Sequence, residues 1–270
     1  MKKMLVILLA AVMTLACCAA LAEDALPEKI VMGFDSAYPP MTYTDEDGST
    51  YIGFDIDLAN AVCDALGIEL VYQPINWDSK EEELDGGNID CIWSGLTMTD
   101  ALKERFAFSL PYMANEQVLV VRADSGIASI DDVAGKELGT QAGSSSVTVL
   151  DDEPEFTAAL KNGEPSLYDD FVFALMDLKL GNIDVVLVDS VVANDYLSKQ
   201  DDPDELIKLP EMLLAEEYGI AFRKDDAALA DAITQQIIAL CDDGTLAEIT
   251  AKWFENDVTV VGRYADEYRK

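Results

Sequence analysis

Two features of this sequence carry chemistry on their own. Asp189 ends the apolar run Val185-Val186-Leu187-Val188, which reads as a buried strand. A carboxylate taken into the interior without a cationic partner is costly, and a bound cation offsets that cost. In doubly wound sheets ligands also meet the carboxyl ends of strands. The plainer alternative is that Asp189 is the N-cap of the segment that follows. The second feature is the loop Gly143-Ser144-Ser145-Ser146, which opens an expected helix. Free N–H groups and the helix dipole at such a start suit a carboxylate. Gln141 stands just before the loop and is placed to read a side chain. The chain has no histidine, so His-based triads and the commonest metal ligand are excluded. No metal and no cofactor is expected.

The elements that must position these residues alternate between strand and helix signals, which argues for an α/β fold with parallel sheets. Strands are expected over 29–34, 69–73, 89–93, 117–122, 136–140, 183–188 and 217–223. Residues 41–43 and 51–53 flank the turn Asp45-Glu46-Asp47-Gly48, a hairpin by composition. Residues 54–66 place apolar side chains at 54, 58, 61, 62, 65 and 66, one face of a helix that Gly67 stops. A short acidic helix is expected over 79–84, and longer ones over 171–180, 225–241 and 246–254. The segment 151–170 reads as an acidic surface loop.

The 270 residues suit one large domain or two lobes, and 50% apolar content supplies a core, so disorder is excluded. Asp and Glu number 52 against 18 Lys and Arg, a net charge of −34. That field repels phosphate, so nucleic acid and anionic membranes are not expected partners. The first 22 residues read as a signal peptide: Lys2 and Lys3, then an apolar run from Met4 to about Ala16. Two exits stay open, cleavage after Ala20-Leu21-Ala22, or an imperfect lipobox at Leu15-Ala16-Cys17 with a lipid anchor on Cys17. Either places the mature protein outside the cytoplasm, periplasmic or cell-surface. Three cysteines then remain, Cys63, Cys91 and Cys241. They read as buried inert thiols, with a Cys63–Cys91 bridge as the alternative.

The run Gly53-Phe54-Asp55-Ile56-Asp57-Leu58-Ala59-Asn60-Ala61-Val62-Cys63 resembles the signature of family 3 extracellular solute-binding proteins, the amino-acid receptors of ABC importers. Four further segments match in order: Asp35-Ser36-Ala37-Tyr38-Pro39-Pro40, Ser94-Gly95-Leu96-Thr97, Phe108-Ser109-Leu110-Pro111-Tyr112, and Tyr218-Gly219-Ile220-Ala221-Phe222 with Lys252-Trp253-Phe254. The resemblance implies a two-lobed type II periplasmic-binding fold with two hinge crossings. Lobe 1 would be 27–111 plus 218–256, lobe 2 would be 117–214, and the crossings 112–116 and 215–217. Residues 257–270 form a tail beyond the family core. A small amino acid or amine would be captured as the lobes close, and passed by a monomeric receptor to an ABC permease.

The resemblance also assigns the cleft. Tyr38 and Trp77 match the aromatic positions that sandwich a ligand. Ser94, Gly95 and Thr97 match the loop that meets its backbone groups. Ser144 and Ser145 match the carboxylate side, Asp189 the ammonium-binding acid, and Asp35 a second acid near the cleft. One position departs from the pattern. The family usually carries an arginine five residues after the loop threonine, forking the ligand carboxylate, and here that position is Leu102. Three accounts stay open: Arg105 or Lys103 reaches in, the Ser144–Ser145 helix start holds the carboxylate alone, or the ligand lacks an α-carboxylate. Ammonium recognition is therefore expected to outrank carboxylate recognition. The rival classes are a dehydratase on the same fold, which would need a positioned acid and base, and a stand-alone sensory protein.

Overall fold

The computed structural model describes residues 26–202 and 205–269. The leader, its two exits and Cys17 lie outside the described residues. The chain begins with β1 (Lys29–Phe34), then β2 (Ala37–Tyr38), β3 (Thr42–Thr44) and β4 (Tyr51–Ile52), which form a small antiparallel sheet. There follow α1 (Phe54–Leu66), β5 (Glu69–Pro74), α2 (Lys80–Asp85), β6 (Cys91–Thr97), α3 (Asp100–Arg105) and β7 (Ala107–Phe108). The middle of the chain forms β8 (Met113–Arg122), β9 (Leu138–Gln141), α4 (Ser145–Asp152), α5 (Pro154–Ala159), β10 (Ser166–Tyr168), α6 (Phe171–Leu180), β11 (Val185–Asp189) and α7 (Ser190–Ser198). The last part is β12 (Leu206–Phe222), α8 (Ala227–Asp243), α9 (Thr245–Trp253) and α10 (Val261–Tyr268).

One large mixed sheet runs β10-β9-β11-β8-β12-β6-β1-β5, with β7 on β12. The β1–β5, β1–β6, β9–β10 and β9–β11 pairs are parallel, while β8 and β12 run antiparallel to their neighbours. Strands β6 and β11 are buried at every residue, which is why β11 reads as a continuous apolar run up to Asp189 rather than an alternating one.

Strand β12 is far longer than the expected 217–223 because its first half pairs with β8, Leu206 opposite Arg122 through Tyr218 opposite Met113. Its last residues pair with β6. Nearly all of the stretches 112–116 and 215–217, the expected crossings, thus lies in paired strand. The 257–270 tail packs beside them. Ala114 N–H donates to Val258 O at 2.9 Å, Val260 N–H to Tyr112 O at 3.0 Å, and the Tyr264 hydroxyl to Glu217 at 2.6 Å.

Other expectations shift by smaller amounts. The buried face of α1 holds Phe54, Asp55, Ile56, Leu58, Ala59, Val62 and Cys63, rotated from the apolar stripe, and Ala65 is exposed. Gly67 closes the helix in a left-handed conformation, as a C-terminal glycine does. Segment 151–170 is not a plain loop, since it carries α5 and β10. Cys63, Cys91 and Cys241 are all free thiols, so the Cys63–Cys91 bridge is absent. No described helix is long and apolar enough to cross a membrane.

Candidate functional site

Strand β11 delivers Asp189 to the wall of a cavity of about 290 Å³. The residue does occupy the N-cap position of α7, yet its side chain makes no capping bond. The carboxylate turns instead toward β8 and β12. Its Oδ1 accepts from Asn115 Nδ2 at 2.5 Å, Gln117 Nε2 at 2.9 Å and the Tyr218 hydroxyl at 2.7 Å. Tyr218 has spent its proton on Asp189, so the Tyr38 hydroxyl, 2.8 Å away, donates to Tyr218. Glu216 accepts from the same two amides, at 2.6 and 2.9 Å, and from the Ser145 hydroxyl at 3.3 Å. Burial, and after it the neighbouring Glu216 carboxylate, push Asp189 well above the usual carboxylate range. A cation entering the cavity relieves that strain, because it favours the charged form.

Asn115, Gln117 and Glu216 escape sequence reasoning. Each is a polar residue on a strand. Only the strand pairing, with Gln117 opposite Asp189 and Asn115 opposite Glu216, brings them together.

Tyr38, Trp77, Gly95, Thr97, Leu102, Gln141, Ser144 and Ser145 line the same cavity as Asp189. So does Phe171, at the start of α6, whose ring lies 6.2 Å from that of Tyr38. Gly95 has φ +55°, and a Cβ there would stand 2.6 Å from the Tyr38 ring. A side chain at 95 would therefore displace the aromatic wall. Thr97 donates to the Ser145 hydroxyl at 3.2 Å, joining the β6 loop to the α4 start.

Asp35 and Ser94 do not line the cavity; they brace it. Asp35 N–H donates to the Ser94 hydroxyl at 3.2 Å, and Thr42 lies 2.5 Å from the same oxygen. The Asp35 carboxylate accepts from Ala37 N–H at 2.8 Å and from Gln141 Nε2 at 2.6 Å, and burial raises it to about 6. Gln141 is thus occupied with Asp35 rather than free to read a side chain. Beneath the loop, fully buried Asp55 accepts Gly95 N–H at 2.8 Å and the Tyr112 hydroxyl at 2.9 Å. Burial raises this carboxyl to about 7.

The other end of the cavity is formed by α4, α3 and α2. Ser144 is the N-cap of α4, although its hydroxyl bonds back to Gln141 O at 2.8 Å. Leu102 is buried in the wall, an apolar group where the resemblance places a guanidinium. Arg105 borders the cavity, but it is solvent-exposed and bound to Glu81 and Asp85. Lys103 points to Asp100 at 3.2 Å and does not reach this cavity. Lys80, one base in the short acidic helix, is buried and lines the cavity.

Comparison with known proteins places this geometry in context. Residues 30–256 match the model of the bacterial extracellular solute-binding proteins, family 3. The chain is 32% identical over 232 residues to the L-cystine-binding protein TcyJ of Escherichia coli strain K12, covering 85% of this chain and 84% of that protein. It is 31% identical over 269 residues to the arginine-binding extracellular protein ArtP of Bacillus subtilis strain 168, covering 95% and 100%. Among solved structures it resembles an ABC uptake transporter substrate-binding protein of Streptococcus pneumoniae with bound histidine. That match has a TM-score of 0.83 and 43% identity, covering 86% of this chain and 95% of the other. The two-lobed α/β architecture, the ordered motifs and the match over 30–256 agree: this chain belongs to family 3 of the bacterial extracellular solute-binding proteins.

Proposed function

We propose that this chain is the extracytoplasmic receptor of an ABC importer, and that it captures a small amino acid in the cavity between two closing lobes. The observation that carries the reading is the Asp189 carboxylate. It is buried and surrounded by hydrogen-bond donors, and no Lys or Arg among the described residues forms an ion pair with it. A ligand ammonium supplies the missing cation. Tyr38, Trp77 and Phe171 give the ligand apolar cover, and the α4 start faces it from the other side. The relatives support the class of solute, since their names specify cystine, arginine and histidine.

In this reading, β8 and β12 carry the hinge crossings, and closure brings Gln141 onto Asp35 and Ser145 onto Thr97. A ligand that prefers the closed form by about 3 kcal/mol shifts the equilibrium roughly 150-fold. The receptor acts as a monomer, binds without turnover and hands its ligand to a membrane permease.

A thermal-shift screen of the common amino acids, their carboxamides and simple amines tests the assignment. A cognate ligand at about 100 times its Kd adds roughly 2.7 kcal/mol of stability. The ligand should be recovered unchanged. No stabilisation by any amino acid or amine, or formation of a product, would refute the reading.

A further inference from the structure

Building on the amino-acid reading above, we infer that Lys80 recognises the ligand's carboxylate, a cation delivered from α2 to the end of the cavity that Leu102 leaves uncharged. The side chain is almost wholly inaccessible, 5% exposed, although it opens a helix whose next three residues are acidic. Its ammonium donates to Gly143 O at 2.6 Å and to Trp77 O at 3.4 Å, and lies 5.1 Å from the centre of the Trp77 ring. Among the described residues no carboxylate comes within ion-pair distance of it. Carbonyl oxygens and a ring face stabilise an ammonium but do not neutralise it. Burial accordingly lowers the Lys80 pKa, even though Glu81, Asp78 and Glu82 pull the other way.

Position supports the same role. Gly143 immediately precedes Ser144, the N-cap of α4, so the ammonium sits beside that helix start. Gly143 itself has φ +66°, and a Cβ there would lie 2.7 Å from Asp78 Cα. This close approach packs the loop against the α2 entry. Of the two cations bordering the cavity, Arg105 is satisfied by Glu81 and Asp85, and Lys80 has no acid partner. With Lys80 in place the anion end is not weak. The expectation that ammonium recognition outranks carboxylate recognition gives way to a site with one charge at each end.

The Lys80–Gly143 contact also joins the two sides of the cleft, so the test must separate a charge role from a latch. Calorimetry near pH 6, where α-amines are protonated, measures the common L-amino acids and L-cystine against wild-type protein. The tightest binder and its carboxamide are then titrated into Lys80→Met, Lys80→Arg and the double variant Lys80→Met with Leu102→Arg. Wild type should prefer the acid to the amide. Lys80→Met should weaken the acid by about 30-fold or more and leave the amide within about threefold. Lys80→Arg and the added Leu102→Arg should each restore acid preference.

Equal losses for acid and amide would show a latch and overturn the proposal, as would an unchanged acid affinity in Lys80→Met. Should Lys80→Met fail to fold, a wild-type acid-to-amide ratio near one overturns it, and retained acid preference in Lys80→Arg supports it. If wild type binds none of the amino acids, the broader reading fails first, and that outcome is visible before any variant is made.

Discussion

The two ends of the cleft are built on different principles. Around Asp189, donors from β8 and β12 converge on one carboxylate oxygen, and the strand register fixes all of them. Around Lys80, one long side chain from a six-residue helix reaches a loop carbonyl and an aromatic face. The first end is a network within the sheet, pre-organised by backbone pairing. The second depends on a flexible stem and on α2 and α4 meeting across the cleft. An acid held by a network loses little order when a ligand binds, whereas a lysine must be immobilised in place. The contrast teaches that a missing arginine need not be replaced at its own position in the chain. Any element whose side chain reaches the same end of the cavity can supply the charge.

The largest expected effect breaks the network end. Asp189→Asn should cost an amino-acid ligand about 3 kcal/mol or more in calorimetry, because the ammonium loses the buried acid of the cavity wall. Retained affinity would mean that the ammonium is held elsewhere.

Of comparable size is a pH effect on stability, beneath the Gly95 loop. Asp55 stays protonated in the folded protein up to about pH 7, against an ordinary value of 3.8. Between those values the folded state holds a proton that the unfolded state has released, so stability falls as pH rises through that window. The contribution is on the order of 4 kcal/mol. Asp55→Asn should flatten the fall in urea midpoint between pH 4.5 and 7.5, and an unchanged slope would contradict the assignment.

Two smaller effects sharpen the lysine end. Trp77→Leu removes the ring beneath the Lys80 ammonium and one aromatic wall, and should weaken binding by about 1–2 kcal/mol. Arg105→Ala should change affinity by less than about 1 kcal/mol, since its guanidinium is exposed and already paired. A loss as large as that of Lys80→Met would move the carboxylate contact to Arg105.

Much of the architecture was legible because it follows from local pattern. The apolar run ending at Asp189 is a buried strand, Gly67 ends a helix, and the Asp45–Gly48 turn joins two paired strands. The length of β12 was not legible. Its first half alternates weakly and is mostly exposed, and pairing with β8 rather than its own composition makes it a strand. The stripe on α1 misled for a related reason: Asp55 faces inward to hold Gly95, an interaction that apolar periodicity cannot register.

The sequence alone determined the fold class, the family, and residue types that line the cavity: an acid at a strand end, a serine helix start and an aromatic pair. It also exposed the leucine where an arginine is usual. Those features are local or ordered along the chain, so one-dimensional pattern carries them. Only the tertiary structure decided that Asp189 turns away from its own helix toward Asn115, Gln117 and Tyr218, that Asp35 and Ser94 brace the cavity without lining it, and that Lys80 enters it. These outcomes depend on contacts between residues 29 to 106 positions apart. Strand register and burial set such contacts, and neither is written in the neighbours of any one residue.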